Sequence, residues 1–154
     1  MLYYIKEVSA NMQILAIDPG SEKTGIAILD DNIQLLEKQI IPTGELEKTC
    51  DRLFFQYNIS NIALGNGTGS QSIKRRINNW LQEHNISTTI HLVNEKYTTE
   101  MGRIRYWKHT PRHSWRALIP TTWQSPPEPI DDFVAWIIGE KFWGVEQPET
   151  LKHQ

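Results

Sequence analysis

The sequence predicts an α/β domain built on a mixed five-stranded sheet with helices on both faces. Its first part carries three extended segments in a row, and the remainder alternates between helical and extended patterns. Consecutive strands are typical of an antiparallel meander, and strands separated by helices are typical of parallel pairing. We therefore expect a three-strand antiparallel meander extended by two parallel strands.

The predicted meander occupies residues 13–41. Residues 13–18 form a nearly continuous apolar run, which is typical of a buried strand. Residues 23–29 and 33–41 alternate between polar and apolar side chains, as strands with one buried face do. The turn-forming triplet Asp30-Asp31-Asn32 joins them.

The later elements are predicted from a change of period. Apolar residues recur every three or four positions in the helical segments, whereas the strands are short apolar runs. Five prolines between residues 111 and 129 predict largely irregular backbone there. Helices are expected over residues 44–57, 71–84, 98 or 99 to about 108, and from Pro129 to about 147, and strands over residues 61–64 and 88–93.

The length of 154 residues fits one compact domain and is short for two. We expect this domain to span residues 12–147, with an N-terminal extension over residues 1–11 and a polar tail over residues 148–154. The single cysteine, Cys50, lies on the apolar face of a predicted helix, so we expect an inert buried thiol.

Several functional classes find no support in the sequence. The apolar runs are far shorter than the ~20 residues that span a bilayer, and residues 1–10 lack the basic start and apolar length of a signal peptide. A cytoplasmic location is therefore expected. The glycines at 65, 67 and 69 do not have the spacing of a nucleotide-binding loop, and Pro111 between His109 and His113 argues against a zinc site on a regular helix.

Carboxylates stand at three suggestive places. Asp18 and Glu95 each close an apolar run, and the pair Asp131-Asp132 opens the last helix. Strand ends and helix starts can gather side chains that are distant in sequence, and clustered carboxylates repel one another unless a cation such as Mg²⁺ neutralises them. The pattern predicts a metal site formed by Asp18, Glu95 and one of the two aspartates Asp131 and Asp132.

Each of these residues also has a structural interpretation. Asp131 and Asp132 can both cap the helix or interact with its dipole. Glu95 can be an exposed carboxylate at the end of a strand. Asp18 precedes Pro19-Gly20, and this combination also favours a tight turn.

The net charge of −2 does not indicate nucleic-acid binding, but the distribution of charged residues along the chain is more informative. Residues 101–123 contain no Asp or Glu and interleave basic with aromatic side chains. Such a segment can hold phosphates and stack bases, or it can be a solvated segment whose aromatic rings dock on the core. The candidate nucleic-acid-binding residues are Arg103, Arg105, Lys108, Arg112 and Arg116.

Four short motifs occur in the order of one known family. Asp18-x-Gly20 with Gly25-x-Ala27 is similar to the Asp-x-Gly-x-x-x-x-Gly-x-Ala signature of the RuvC and YqgF branch of the RNase H-like superfamily. Residues 94–99 resemble the YqgF Asp-Glu-Arg-x-Thr-Thr motif, and residues 132–135 resemble the Asp-x-x-Ala helix start. Residues 62–68 resemble the corresponding strand of the YqgF-like domain in Tex proteins.

The resemblance implies an RNase H-like fold and metal-assisted phosphodiester hydrolysis. It implies two Mg²⁺ or Mn²⁺ ions bridged by Asp18, with Glu95 and Asp132 each completing one coordination shell and Lys96 neutralising charge on the phosphate. The chain departs from the family in three places. RuvC resolvases carry a carboxylate where this chain has Gly65-Asn66, and Asn94 and Lys96 replace the Asp and Arg of the YqgF motif.

Two functions are therefore weighed. The first is a metal-dependent nuclease acting on structured DNA or RNA, either as a Holliday junction resolvase or in processing of ribosomal RNA precursors, with a homodimer supplying two sites. The second is a catalytically weak or inactive module that binds nucleic acid. An actin-like ATPase also begins with Asp-x-Gly, but this chain is too short for its two lobes.

Overall fold

A computed structural model describes residues 11–145 of the protein. Strands and helices alternate along the described chain as the sequence pattern predicts. The strands are β1 (Gln13–Asp18), β2 (Lys23–Asp30), β3 (Leu35–Pro42), β4 (Ile59–Gly65) and β5 (Thr89–Val93). The α-helices are α1 (Leu46–Gln56), α2 (Ser70–Glu83), α3 (Thr98–His109) and α4 (Asp131–Phe142), and 3-10 turns cover Thr43–Glu45, Ser114–Leu118 and Thr121–Trp123.

The five strands form one mixed sheet in the order β3-β2-β1-β4-β5. β1 pairs antiparallel with β2, and β2 pairs antiparallel with β3. β4 lies parallel to β1 on its other side, and β5 lies parallel to β4. The predicted meander with two added parallel strands is confirmed. The carboxyl ends of β1, β4 and β5 consequently share one edge of the sheet.

Alternation of side chains along the strands divides the core into two layers. Leu15 and Ile17 face α1 and α2, whose buried positions include Leu53 and Ile77. The neighbours of these strand residues point the other way, and α4 covers them. This second layer contains Ile14, Ala16, Ala27, Leu29, Ala63, Val93, Val134, Ala135 and Ile138. Helices on both faces are therefore confirmed.

α3 does not contact the sheet extensively and instead packs on α4. Gly102 allows this approach, because a Cβ at this position would lie 2.9 Å from a methyl group of Val134. The rings of Tyr106 and Phe133 meet edge to face with centroids 5.6 Å apart. α4 thus lies between the sheet and α3.

Two of the boundaries that differ from the sequence-based expectation have a clear cause in the backbone. β3 begins at Leu35, because Ile33 has a left-handed φ of 64° inside a turn that Asp30 closes by accepting hydrogen bonds from the amides of Asn32 and Gln34. α4 ends at Phe142, well before residue 147, because Gly144 adopts a φ of 81° that stops the helix. The glycine was an available stop signal.

Cys50 is buried in α1, as expected, and burial raises the pKa of its thiol to about 12. Within residues 11–145, no helix is long and apolar enough to cross a bilayer. The tail over residues 148–154 lies outside the described residues, as do residues 1–10 of the predicted extension over residues 1–11. The domain limits at residues 12 and 147 stay a prediction.

Substitution of Gly139 tests the packing of α4 on the sheet. A Cβ at Gly139 would lie 2.5 Å from Leu29 Cδ1 and 3.2 Å from Ala16 Cβ. Overpacking of this kind costs about 1–3 kcal/mol, so we expect Gly139→Val to lower the free energy of unfolding by that amount in urea titrations. Gly44→Val is the control, because nothing lies within 4 Å of a Cβ there. Equal losses in the two variants would contradict close packing at Gly139.

Candidate active site

Strand alternation directs Asp18 and Glu95 to the same side of the sheet. Ile14 and Ala16 point toward α4, and Asp18 follows them in phase at the end of β1. Val93 points toward α4 at the end of β5, and Glu95 lies two residues beyond it. Both carboxylates therefore stand at the carboxyl edge of the sheet, on the face that α4 covers.

Gly25 brings the start of α4 to Asp18. Gly25 is the residue opposite Asp18 in the β1-β2 ladder. A Cβ at this position would overlap the backbone carbonyl of Asp131 and would lie 3.1 Å from the Asp131 Cβ. The helix begins directly above the glycine, which places Asp131 beside Asp18.

Gly65 and Gly67 form a cradle for the Glu95 carboxylate. A Cβ on Gly65 would lie 2.8 Å from Glu95 Cδ, and a Cβ on Gly67 would lie 2.7 Å from the same atom. Any larger residue in either place would displace the carboxyl group. Glu95 Oε1 is buried and has no hydrogen-bond partner among residues 11–145. A buried anion without a partner is costly, and such an atom commonly marks a position where a ligand or ion binds.

The loop that carries Glu95 is fixed at several points. The Glu95 amide donates to Asn66 Oδ1 at 3.1 Å, and the Glu95 carbonyl accepts from Thr98 Oγ1 at 2.7 Å. Lys141, near the end of α4, donates from Nζ to the carbonyls of Asn94 and Lys96 at 2.5 and 3.0 Å. The sequence contains no signal for Lys141, since it lies 45 or more residues from both partners.

The pKa of Asp18 reflects its burial and the proximity of Glu95 and Asp131. The pKa of the Asp18 carboxyl is raised from 3.8 to about 8, first by burial and then by the negative charges of Glu95 and Asp131. Burial lowers the pKa of the Lys141 ammonium, and the charge of Glu95 opposes that effect. Asp18 therefore holds a proton at neutral pH unless a cation compensates its charge.

The donor set fits a hard divalent cation such as Mg²⁺ or Mn²⁺. Three carboxylates repel one another, and one buried carboxylate oxygen lacks a partner, so a cation would offset both costs. Nevertheless, no three His, Cys, Asp or Glu side chains within residues 11–145 are grouped closely enough to hold a metal ion. Both findings are compatible, because charges repel over several ångströms whereas ligands must lie ~2.0–2.6 Å from the ion. To bind a metal ion, the three carboxylates would have to move closer to one another.

Asp131 and Asp132 diverge, although they are adjacent. Asp132 Oδ2 accepts a hydrogen bond from Lys38 Nζ at 2.5 Å, and its Oδ1 accepts one from the Phe133 amide at 2.9 Å. Successive residues of a helix point about 100° apart, so only one of the two can face Asp18. The sequence favours Asp132 for this position, and the structure brings Asp131 there instead.

Lys96 is exposed beside Glu95. Its ammonium lies 5.0 Å from the centre of the Tyr97 ring, and Tyr97 adopts a left-handed φ of 66°. Lys96 thus follows Glu95 directly in the chain, and its ammonium forms no ion pair among the described residues.

The predicted nucleic-acid-binding residues divide into two groups. Arg105 forms a two-pronged ion pair with Glu140 and lies 4.3 Å from the Trp136 ring centre, so it joins α3 to α4. Arg112 donates to the carbonyls of Arg116 and Ile119 and thereby shapes its own loop. By contrast, Arg103, Lys108 and Arg116 are exposed. Trp115, Leu118 and Trp123 are exposed in the same segment, at 62%, 87% and 81%.

Comparison with known families gives a decisive match. The sequence model for the YqgF-like domain of Tex proteins matches residues 12–99, which is more than half of the chain. The chain belongs to the Tex protein YqgF-like domain family. The matched part of this YqgF-like domain includes Asp18, Glu95 and Lys96. Asp131 and Asp132 lie beyond it.

Solved structures show the same fold. Thermus thermophilus RuvC in complex with a Holliday junction has a TM-score of 0.53 at 12% identity, covering 86% of this chain and 94% of that one. Fowlpox virus resolvase with Holliday junction DNA has a TM-score of 0.51 at 16% identity, covering 86% of this chain and 97% of that one. A comparison with curated proteins gave no match. The expected RuvC-like, RNase H-like fold is confirmed for this YqgF-like domain.

The raised pKa of Asp18 predicts a pH-dependent effect of removing its charge. Between pH ~4 and ~8, the unfolded chain has lost the Asp18 proton that the folded protein keeps. The free energy of unfolding therefore decreases as pH rises through this range, and the decrease is complete above pH ~8. We expect Asp18→Asn to stabilise the protein relative to the parent by at least ~1 kcal/mol at pH 8 and little at pH 4.

Urea unfolding at both pH values, with a chelator present, measures this difference. Glu22→Gln is the control, because Glu22 is exposed. A gain for Asp18→Asn that is the same at pH 4 and pH 8 would show that the Asp18 carboxyl is not perturbed.

Lys141→Met tests how the Glu95 loop is held. Methionine keeps the apolar stem but loses both hydrogen bonds to the loop carbonyls. We expect hydrogen-exchange protection of the Glu95, Lys96 and Thr98 amides to fall about fivefold, which corresponds to ~1 kcal/mol of local stability. The exposed Lys48→Met serves as control. Unchanged exchange in Lys141→Met would mean that other contacts fix the loop.

Proposed function

We propose that this YqgF-like domain is a divalent-metal-dependent endonuclease that hydrolyses phosphodiester bonds in structured nucleic acid. One observation carries the proposal: Asp18, Glu95 and Asp131 converge at the carboxyl edge of the sheet, where burial, together with the negative charges of Glu95 and Asp131, raises the pKa of Asp18 to about 8. A stable fold tolerates such repulsion poorly, whereas active sites commonly contain it. The solved relatives of the same fold were captured with Holliday junction DNA, which favours branched DNA as the substrate.

Each residue has a stated part in this proposal. Asp18, Glu95 and Asp131 would hold Mg²⁺ or Mn²⁺, and a bound ion of this kind activates a water molecule and stabilises the leaving oxygen. Asp18 must release its proton before it can bind a cation, so cation affinity should increase as pH rises toward 8. Lys96, exposed beside Glu95, would offer positive charge to the phosphate. The expectation of two ions remains part of the proposal.

The surface beside the site suits a polyanion. Arg103, Lys108 and Arg116 are exposed in a segment without acidic residues, and exposed Trp115 and Trp123 can stack on bases. Arg105 and Arg112 support this surface through internal contacts. The same exposed side chains could also form the contact between two copies of the chain. The proposal is therefore completed by a homodimer that carries two sites and is located in the cytoplasm.

A second candidate is a catalytically weak or inactive binding module. Two observations favour it: no three ligating side chains within residues 11–145 are grouped to hold a metal, and Asn94 replaces the Asp of the YqgF motif. In that case, binding of nucleic acid would persist without cleavage. Metal-dependent cleavage separates the two functions directly.

The test compares neighbouring aspartates. The protein is incubated with synthetic four-way DNA junctions, duplex DNA and structured RNA in Mg²⁺, Mn²⁺ or chelator, and products are resolved on denaturing gels. We expect cleavage by the parent only with metal. Asp18→Asn, Glu95→Gln and Asp131→Asn should each lower kcat at least about 100-fold, since even outer-shell partners of metal ligands are worth about 10–100-fold.

Asp132→Asn is the matched comparison for kcat: Asp132 pairs with Lys38 and does not face Asp18, so its loss should leave kcat within a few fold of the parent, whatever its effect on KM. A large loss in Asp132→Asn with activity retained in Asp131→Asn would reverse the two assignments. Metal-independent cleavage, or an Asp18→Asn variant as fast as the parent, would refute the proposed mechanism.

A further inference from the structure

A groove lies beside the carboxylate cluster. This groove has a volume of about 720 Å³ and lies between β3, the end of α3 and the first half of α4. Four rings line it, together with one ammonium and two carboxylates. These groups are Tyr106, His109, Phe133, Trp136, Lys38, Glu128 and Asp132. The groove is within the size range of small-ligand sites, which is about 300–1,000 Å³.

The register of the sheet gives the distance between the groove and Asp18. Ile40, which lines the groove, is paired with Gly25, and Gly25 is paired with Asp18. Residues directly opposite one another share a face, so the groove and Asp18 lie on the same side of the sheet. Two strand spacings separate them, or roughly 10 Å. A nucleotide close to the cleaved bond of a bound strand would reach across this distance.

His109 offers the most accessible ring. It is exposed at the rim, with its ring centre 5.3 Å from that of Trp136 and 6.4 Å from that of Phe133. Phe133 and Tyr106 are almost fully buried, and Lys38 and Arg105 lie over the rings of Phe133 and Trp136, so a base would stack chiefly on His109. Base stacking on such rings is strong and tolerant of sequence, since every base has a π-face.

The polar groups favour a base over a phosphate as the occupant. Lys38 Nζ pairs with Asp132 at 2.5 Å and lies 4.0 Å above the Phe133 ring, so a donor and an acceptor stand together in the groove. Base edges present the same combination of donors and acceptors. A phosphate would instead meet two carboxylates, Asp132 and Glu128. Lys108 is exposed and precedes His109 in the acid-free segment, so a positive charge that suits the adjoining phosphates lies one residue from the groove lining.

We propose that this groove holds an unpaired nucleobase of the strand that is cut at the carboxylate cluster. The location beside the cleaved bond rests on the proposed nuclease function, whereas base binding in the groove does not. The consequence concerns the substrate class. Strands with unpaired nucleotides, such as branch points, bulges and single strands, bind in preference to continuous duplex, whose bases are stacked inside the helix.

Equilibrium binding tests the proposal without requiring cleavage. Fluorescence anisotropy with the full chain in chelator compares a labelled 12-nucleotide single strand, the same strand with abasic sites at its centre, and a duplex. His109→Ala removes the rim ring, and His113→Ala is the matched control because His113 is exposed in the same region but does not line the groove.

We expect His109→Ala to weaken binding of the intact strand by about fivefold or more, the change that loss of ~1 kcal/mol of base stacking produces. The abasic strand should bind the parent more weakly than the intact strand and should bind His109→Ala and the parent alike. His113→Ala should match the parent. In cleavage assays, His109→Ala should raise KM more than it lowers kcat.

Three results would overturn the proposal. These are intact and abasic strands binding equally well, His109→Ala binding like the parent, and a mononucleotide competing as well as the 12-nucleotide strand. Lys38→Met provides a second test. This variant should bind the intact strand more weakly while its binding of the abasic strand is unchanged, and its melting temperature shows whether it is folded. If base-dependent binding holds but no metal supports cleavage, the nuclease proposal fails and the groove remains a base-binding site.

Discussion

The packing of α4 across the sheet is the constraint on which the rest of the structure depends. The helix is buried against Ala16, Ala27 and Leu29, and its first residue lies above Gly25. Near its other end, Lys141 holds the carbonyls on either side of Glu95. One rigid element therefore positions two of the three carboxylates relative to Asp18. Apolar burial along the helix offsets the repulsion that the fold accepts at this edge.

Missing side chains are as important to the site as the acids themselves. The absence of a side chain at Gly25 leaves room for the backbone of Asp131. In the same way, Gly65 and Gly67 leave room for the carboxyl group of Glu95. The glycine-rich segment after β4 therefore serves a neighbouring side chain rather than a nucleotide. It also explains how a carboxylate that follows β5 can occupy space next to the end of β4.

Local pattern was sufficient for much of the fold and for part of the site. Strand ends follow from apolar runs, and strand phase places Asp18 and Glu95 on one face. The choice between Asp131 and Asp132 depends on the rotation of α4 about its axis, which tertiary packing sets. The ion pairs of Arg105 with Glu140 and of Lys38 with Asp132 join residues 35 and 94 positions apart, so no local pattern shows which basic residues are engaged internally.

The span of α4 between Asp131 and Lys141 has a consequence for how sequences of this kind can vary in length. Inserting one residue there would turn one end of the helix by about 100° and shift it by about 1.5 Å relative to the other. Either the aspartate or the lysine would then lose its contact. The irregular stretch between α3 and α4 carries no such coupling, so insertions and deletions should accumulate there while the helix keeps a constant length.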